Sequence, residues 1–119
     1  MLLYPDVVVV GLDASKFDQH VGTHLLKWEH GIYEHLYPGD GALADILREQ
    51  LRTRGIILCD DGIIKFRVPG SRCSGDMNTA LGNCLIMTAM VITYCRQRSI
   101  ACSIIDNGDD CLIITSRCN

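Results

Sequence analysis

Apolar positions along this chain fall into continuous β-branched runs and helically spaced sets, and their order predicts the elements. Val7-Val8-Val9-Val10-Gly11-Leu12 is a continuous run of the kind expected of a central strand buried on both faces, and it stops at Asp13. From His20 to about Tyr37, Val21, Leu25, Leu26, Trp28, Ile32, Tyr33 and Leu36 recur with helical spacing. Pro38-Gly39-Asp40-Gly41 ends that helix and opens a second, from about Ala42 to Arg54, with Leu43, Ile46, Leu47 and Leu51 on one face. Gly55 to Pro69 reads as a hairpin, Ile56–Cys59 and Ile63–Val68 around Asp60-Asp61-Gly62. A loop over Pro69–Asp76 leads into a long helix from about Met77 to Arg98, closed by Arg96 and Arg98, which suit a helix C-terminus. A last hairpin pairs Cys102–Ile105 with Cys111–Thr115. Its turn is assigned to Asn107-Gly108, two residues that tolerate φ > 0.

The order strand, helix, helix, hairpin, helix, hairpin predicts an α/β (α+β) class, a small, mainly antiparallel sheet with helices largely on one face. At 119 residues the chain is one domain, and neither an internal repeat nor a linker interrupts it. With 48% apolar and 21% charged residues it is ordinarily globular, which excludes a disordered or low-complexity chain. The longest apolar stretch, Cys84–Cys95, is broken by Thr88 and Thr93 and is too short to cross a bilayer, so no transmembrane segment is expected. No charged and apolar leader opens the chain, so no signal peptide is expected either.

Seven cysteines is many for this length, but the count is odd and no Cys-x-x-Cys occurs, which excludes the usual zinc spacing. Most lie in apolar runs, where cysteine behaves as a small hydrophobe; reduced thiols in a reducing compartment are expected. The net charge of −3 argues against a self-sufficient nucleic-acid binder.

Three segments carry candidate chemistry. Asp109 and Asp110 place adjacent carboxylates at an exposed turn; such a pair is costly unless a cation holds it, and a plain solvated turn is the alternative. Asp13 ends the first strand, where a carboxylate serves either a ligand site or a helix N-cap. Three converging carboxylates would suit Mg²⁺ or Mn²⁺ rather than zinc. In Ser74-Gly75-Asp76-Met77-Asn78-Thr79-Ala80-Leu81-Gly82-Asn83, Gly75 frees the backbone before the helix, and Thr79 and Asn83 lie four apart on one helical face. A polar helix start satisfied by its own backbone is the alternative there.

Taken together, Asp-x4-Asp, Ser-Gly-x3-Thr-x3-Asn and Gly-Asp-Asp, in this order, resemble motifs A, B and C of the viral RNA-dependent RNA polymerase palm. Gly11–Val21, Ser74–Leu85 and Asn107–Cys111 look most like tombusvirus-type polymerases of positive-strand plant viruses, and the resemblance covers essentially the whole chain. It implies a palm core over residues 1–119 in which Asp13 and Asp109 hold two Mg²⁺ ions (or Mn²⁺) and Asp110 completes the acidic cluster. It also implies that Asp18, Ser74 and Asn83, supported by Thr79, recognise the ribose 2′-hydroxyl, with Gly75 and Gly108 as loop glycines. The implied partners are RNA template, primer or product strand, ribonucleoside triphosphates, the remaining polymerase subdomains and viral replication proteins. The implied location is the host cytoplasm, in membrane-associated replication complexes.

Other residues leave alternatives open. Arg72 reads as a contact to template or nucleotide phosphate, or as an exposed loop arginine. Lys16 reads as a salt bridge to the acidic cluster or as a substrate contact. His20 and His24 are four apart without the glutamate of a zinc-protease motif, and they, His30 and His35 are expected at the surface. Nothing resembles the basic fingers motif, the later palm motifs or a thumb, so a fragment of a larger polymerase is expected, inactive in isolation and with Met1 not its biological start. A metal-dependent phosphohydrolase would explain Asp13, Asp109 and Asp110 but not Asp18, Ser74 and Asn83; a non-catalytic RNA-binding module would need aromatic strand pairs that stack bases, which this chain lacks, and its acidic site would repel phosphate.

Overall fold

The computed structural model describes residues 4–117, and the chain divides into two compact units: residues through 17 with those from 77 onward, and residues 18–76. The strand and helix order matches the hydrophobic pattern, in a mixed α/β chain with small antiparallel sheets.

The first unit holds a three-stranded antiparallel sheet of β1 (Val7–Asp13), β4 (Cys102–Asn107) and β5 (Asp110–Ser116), in the order β1-β5-β4. The Val7–Leu12 run is therefore an edge strand, and most of it is solvent-exposed, not the doubly buried central strand its composition suggests. The centre belongs to β5, which pairs with β4 on one side and with β1 on the other. Helix α4 (Thr79–Gln97) packs on β4 and buries Asn83, Ile86, Met87, Val91 and Cys95, a stripe at three- and four-residue spacing. Cys111 of β5 is buried too.

The second unit holds most of a short α1 (Phe17–His20), then α2 (Thr23–Leu36), α3 (Gly41–Gln50), and a hairpin of β2 (Arg52–Cys59) and β3 (Gly62–Pro69). That hairpin is a sheet of its own, where the strand pattern led to a single sheet. Asp40 caps α3 by accepting from the Leu43 N–H at 3.0 Å. Helix α3 stops at Leu51, short of the expected Arg54, because Arg52–Arg54 pair with β3 from Arg67 to Pro69. Its core includes Val21, Leu26 and Leu47. The buried face of α2 also carries Glu29 and His30, while Trp28 and Leu36, expected on the apolar stripe, are exposed. His30 is thus an interior residue and not the surface histidine expected; His20, His24 and His35 are exposed.

Candidate active site

The terminal hairpin turns one residue later than the Asn-Gly pattern predicts. Asn107 pairs with Asp110, so the two-residue turn is Gly108-Asp109, and of these only Gly108 has positive φ, 78°. Glycine at the first turn position with a left-handed φ is the type II′ arrangement, whose twist suits a right-handed hairpin. This register decides where the carboxylates go. Asp110 becomes the first residue of β5, flanked across the strands by Asn107 on β4 and Asp13 on β1. Asn107, Asp110 and Asp13 therefore form one polar row at the end of the sheet, on a common face. The Ala14 N–H donates to the Asp109 carbonyl at 3.4 Å, which carries the β1–β5 contact into the turn.

Beside this row lies an open depression of about 520 Å³ lined by Gly11, Leu12, Asp13, Ile105, Asn107, Asp110, Cys111 and Leu112. Gly11, opposite Leu112 and two residues before Asp13, contributes no side chain to it. Asp13, Asp109 and Asp110 are exposed, and among the described residues no lysine or arginine forms an ion pair with them. Among the described residues Lys16 makes no salt bridge to the acidic residues.

Helix α4 fixes the hairpin from behind. The Gly108 N–H donates to Cys84 Sγ at 3.1 Å, and one helical turn on the Thr88 hydroxyl donates to Asp106 Oδ2 at 2.6 Å. Asn83 is buried, and its Cβ lies 4.0 Å from where a side chain at Gly108 would begin. Thr79, four residues earlier on α4, is half-buried. The roles of Cys84, Thr88 and Asn107 were not foreseen. Only the register of the turn, one residue from the expected position, could have shown Asn107 beside Asp110.

In the second unit, Ser74 Oγ donates to Asp18 Oδ2 at 2.5 Å, joining two candidate residues 56 apart in sequence. The loop that carries Ser74 is held by its backbone: the Ser71 N–H donates to the Val21 carbonyl and the Arg72 N–H to the Asp18 carbonyl, both at 3.1 Å. Gly70 has φ 71°, and a Cβ there would stand 2.5 Å from the Thr23 nitrogen, so this loop position requires glycine. Gly75 differs: its φ is not positive and nothing lies within 4 Å of a Cβ built there, so the geometry makes no such demand. Arg72 is not an exposed loop arginine. Its side chain is fully buried in an ion pair with Glu29.

The family model described as viral RNA dependent RNA polymerase matches residues 3–119. The chain belongs to the viral RNA-dependent RNA polymerase family. It is 47% identical over 114 residues to the RNA-directed RNA polymerase of Tobacco necrosis virus (strain A), covering 96% of this chain and 16% of that protein. It is 46% identical over 110 residues to the RNA-directed RNA polymerase of Melon necrotic spot virus, covering 92% of this chain and 14% of the relative. The RNA-directed RNA polymerase of Tomato bushy stunt virus (strain Cherry) is 46% identical over 113 residues, 94% of this chain and 14% of its own. The chain thus spans about one-seventh of the length of these relatives.

Membership in the polymerase family implies a metal-dependent enzyme. The acidic row has the donor chemistry for a hard divalent cation: carboxylate oxygens, cross-strand like charges and no ion-paired cation among the described residues. Asp109, in the turn, stands outside the cross-strand pair, and no three ligand-type side chains among the described residues converge into a ready cradle. Donor type fits a divalent ion; a closed three-carboxylate cluster is not formed.

Proposed function

We propose that this chain is the catalytic palm core of an RNA-directed RNA polymerase, which transfers ribonucleoside monophosphates to an RNA 3′ end under direction of an RNA template. The observation that carries this is the register placing Asp13 directly across from Asp110, with Asp109 in the adjoining turn, in a chain of the polymerase family. Asp13 and Asp109 would hold two Mg²⁺ ions, or Mn²⁺, with Asp110 completing the acidic set. When bound, such ions lower the pKa of the primer 3′-hydroxyl and stabilise the pyrophosphate leaving group.

Asp18, Ser74 and Asn83, with Thr79 in support, select the ribose. The Ser74 hydroxyl donates to one oxygen of the Asp18 carboxylate and so orients that group. A site built to hydrogen-bond a hydroxyl discriminates strongly against the analogue that lacks it. Phosphate-binding cations come from the remaining subdomains, consistent with the net charge of −3 here. The partners are template and product RNA, ribonucleoside triphosphates, the rest of the polymerase and viral replication proteins, in membrane-associated complexes of the host cytoplasm. Among the described residues no helix is long and apolar enough to cross a membrane.

The test is primer extension by the complete polymerase carrying this segment. Extension should require a divalent cation, prefer ribonucleotides, and be lost with Asp13→Asn. Asn83→Ala should mainly weaken the preference for ribonucleotides. Extension that persists in Asp13→Asn would refute the metal assignment.

A further inference from the structure

Glu29 and Arg72, 43 residues apart, form an ion pair with both side chains fully out of solvent. The Tyr33 hydroxyl, one turn further along α2, donates to Glu29 Oε1 at 2.8 Å, while Arg72 Nη2 donates to Oε2. Arg72 Nε and Nη1 are buried with no hydrogen-bond partner among the described residues. Replacing a buried ion pair by an apolar pair of similar volume is often neutral or stabilising, and the two unused donors here add to the cost of burial. Stability alone does not explain it.

What the pair does hold is the backbone beside Arg72. The Arg72 N–H donates to the Asp18 carbonyl, the Ser71 N–H to the Val21 carbonyl, and the Thr53 hydroxyl to the Ser71 carbonyl at 2.8 Å. Two residues on, Ser74 reaches the Asp18 carboxylate. Asp18 is therefore gripped twice by one short loop, through its carbonyl and through its side chain.

We propose that Glu29 and Arg72 are positioning residues for ribose selection: their buried pair seats the loop of residues 70–74 so that the Ser74 hydroxyl meets the Asp18 carboxylate. The proposal rests on the polymerase reading above. Neither residue touches substrate. Glu29 sets Arg72, Arg72 sets the loop, and the loop sets Ser74. Tyr33 fixes the glutamate rotamer.

The complete polymerase carrying this segment tests this with Arg72→Lys, Glu29→Gln and Tyr33→Phe. Two quantities are read: the kcat/KM ratio for a ribonucleotide over its deoxy counterpart, and amide hydrogen exchange at Ser71 and Arg72. Arg72→Lys keeps the charge but loses the planar fork, and should lower the ratio about tenfold through a higher ribonucleotide KM, with faster exchange at both amides. Tyr33→Phe should give a smaller change in the same direction. If Glu29→Gln does not fold, the other two variants still decide. Faster exchange with an unchanged ratio, or equal losses for both sugars, would overturn the proposal and leave the pair a structural one. Ser74→Ala separates the two levels. If it does not lower the ratio, the ribose assignment of Ser74 is wrong, while amide exchange in Arg72→Lys still shows whether the pair seats the loop.

Discussion

The Gly108 N–H donates to Cys84 Sγ at 3.1 Å, fastening the turn that carries Asp109 to helix α4. Sulfur is a weak acceptor, so the bond contributes modestly, but its place is decisive. Cys84→Ala should cost about 1 kcal/mol and lower kcat more than it raises nucleotide KM, because the turn loses its anchor rather than its ligands. Cys84→Ser, which keeps an acceptor, should recover part of the loss. Thermal denaturation and steady-state kinetics of the two variants check this; identical behaviour would show that the sulfur only fills space.

One helical turn on, Thr88 supplies the hydrogen bond to Asp106 Oδ2, while Asp106 Oδ1 is buried without a partner among the described residues. Thr88→Val keeps the shape and removes the donor, leaving the carboxylate unsatisfied at a cost of about 1–3 kcal/mol. Adding Asp106→Leu should return part of that stability, since no stranded carboxylate remains. Denaturant titration of the single and double variants measures the coupling. A double variant as unstable as the sum of the single variants would contradict it.

Much of this was legible in the sequence. Aspartates at residues 13, 109 and 110 and the serine-to-asparagine segment stand in ordered motifs, and helix and strand positions follow from apolar spacing. The misread parts depend on distant partners. The valine run at residues 7–10 looks central by composition, but the strand order depends on pairing with β5, about a hundred residues away, which composition does not reveal. Arg72 looks like a solvent-facing loop residue because nothing near it in sequence announces Glu29, 43 residues away. His30 was misplaced for the same reason: the polar stripe Glu29-His30 turns inward because the interior of its unit is partly polar.

That buried histidine gives a pH dependence. Burial, opposed by the neighbouring Glu29 charge, holds the His30 imidazole below its ordinary value of 6.5. The unfolded chain then binds the proton more readily than the folded one, so this contribution to stability is complete above about pH 6.5 and is lost as pH falls toward the folded value. Imidazole NMR resonances of His30 should titrate below the ordinary value of 6.5. His30→Asn should flatten the fall in stability on the acid side. A His30 titration at or above 6.5 would contradict the buried assignment.

None of the six described cysteines forms a disulfide. Burial pushes the Cys95 and Cys111 thiols up, away from the reactive thiolate, while Cys59 and Cys73 are exposed. Alkylation of the folded protein at mildly alkaline pH should therefore label Cys59 and Cys73 first and reach Cys95 and Cys111 only on unfolding. Mass spectrometry of digests reads the order directly, and early labelling of Cys111 would contradict the packing of α4 on the sheet.

The most direct measurement is single-nucleotide incorporation by the complete polymerase carrying Asp109→Asn, in Mg²⁺ and in Mn²⁺, with RNA binding measured alongside. If the acidic end of the sheet holds the catalytic ions, incorporation falls to background while template binding persists. Incorporation at the unsubstituted rate would show that the catalytic ions are held elsewhere.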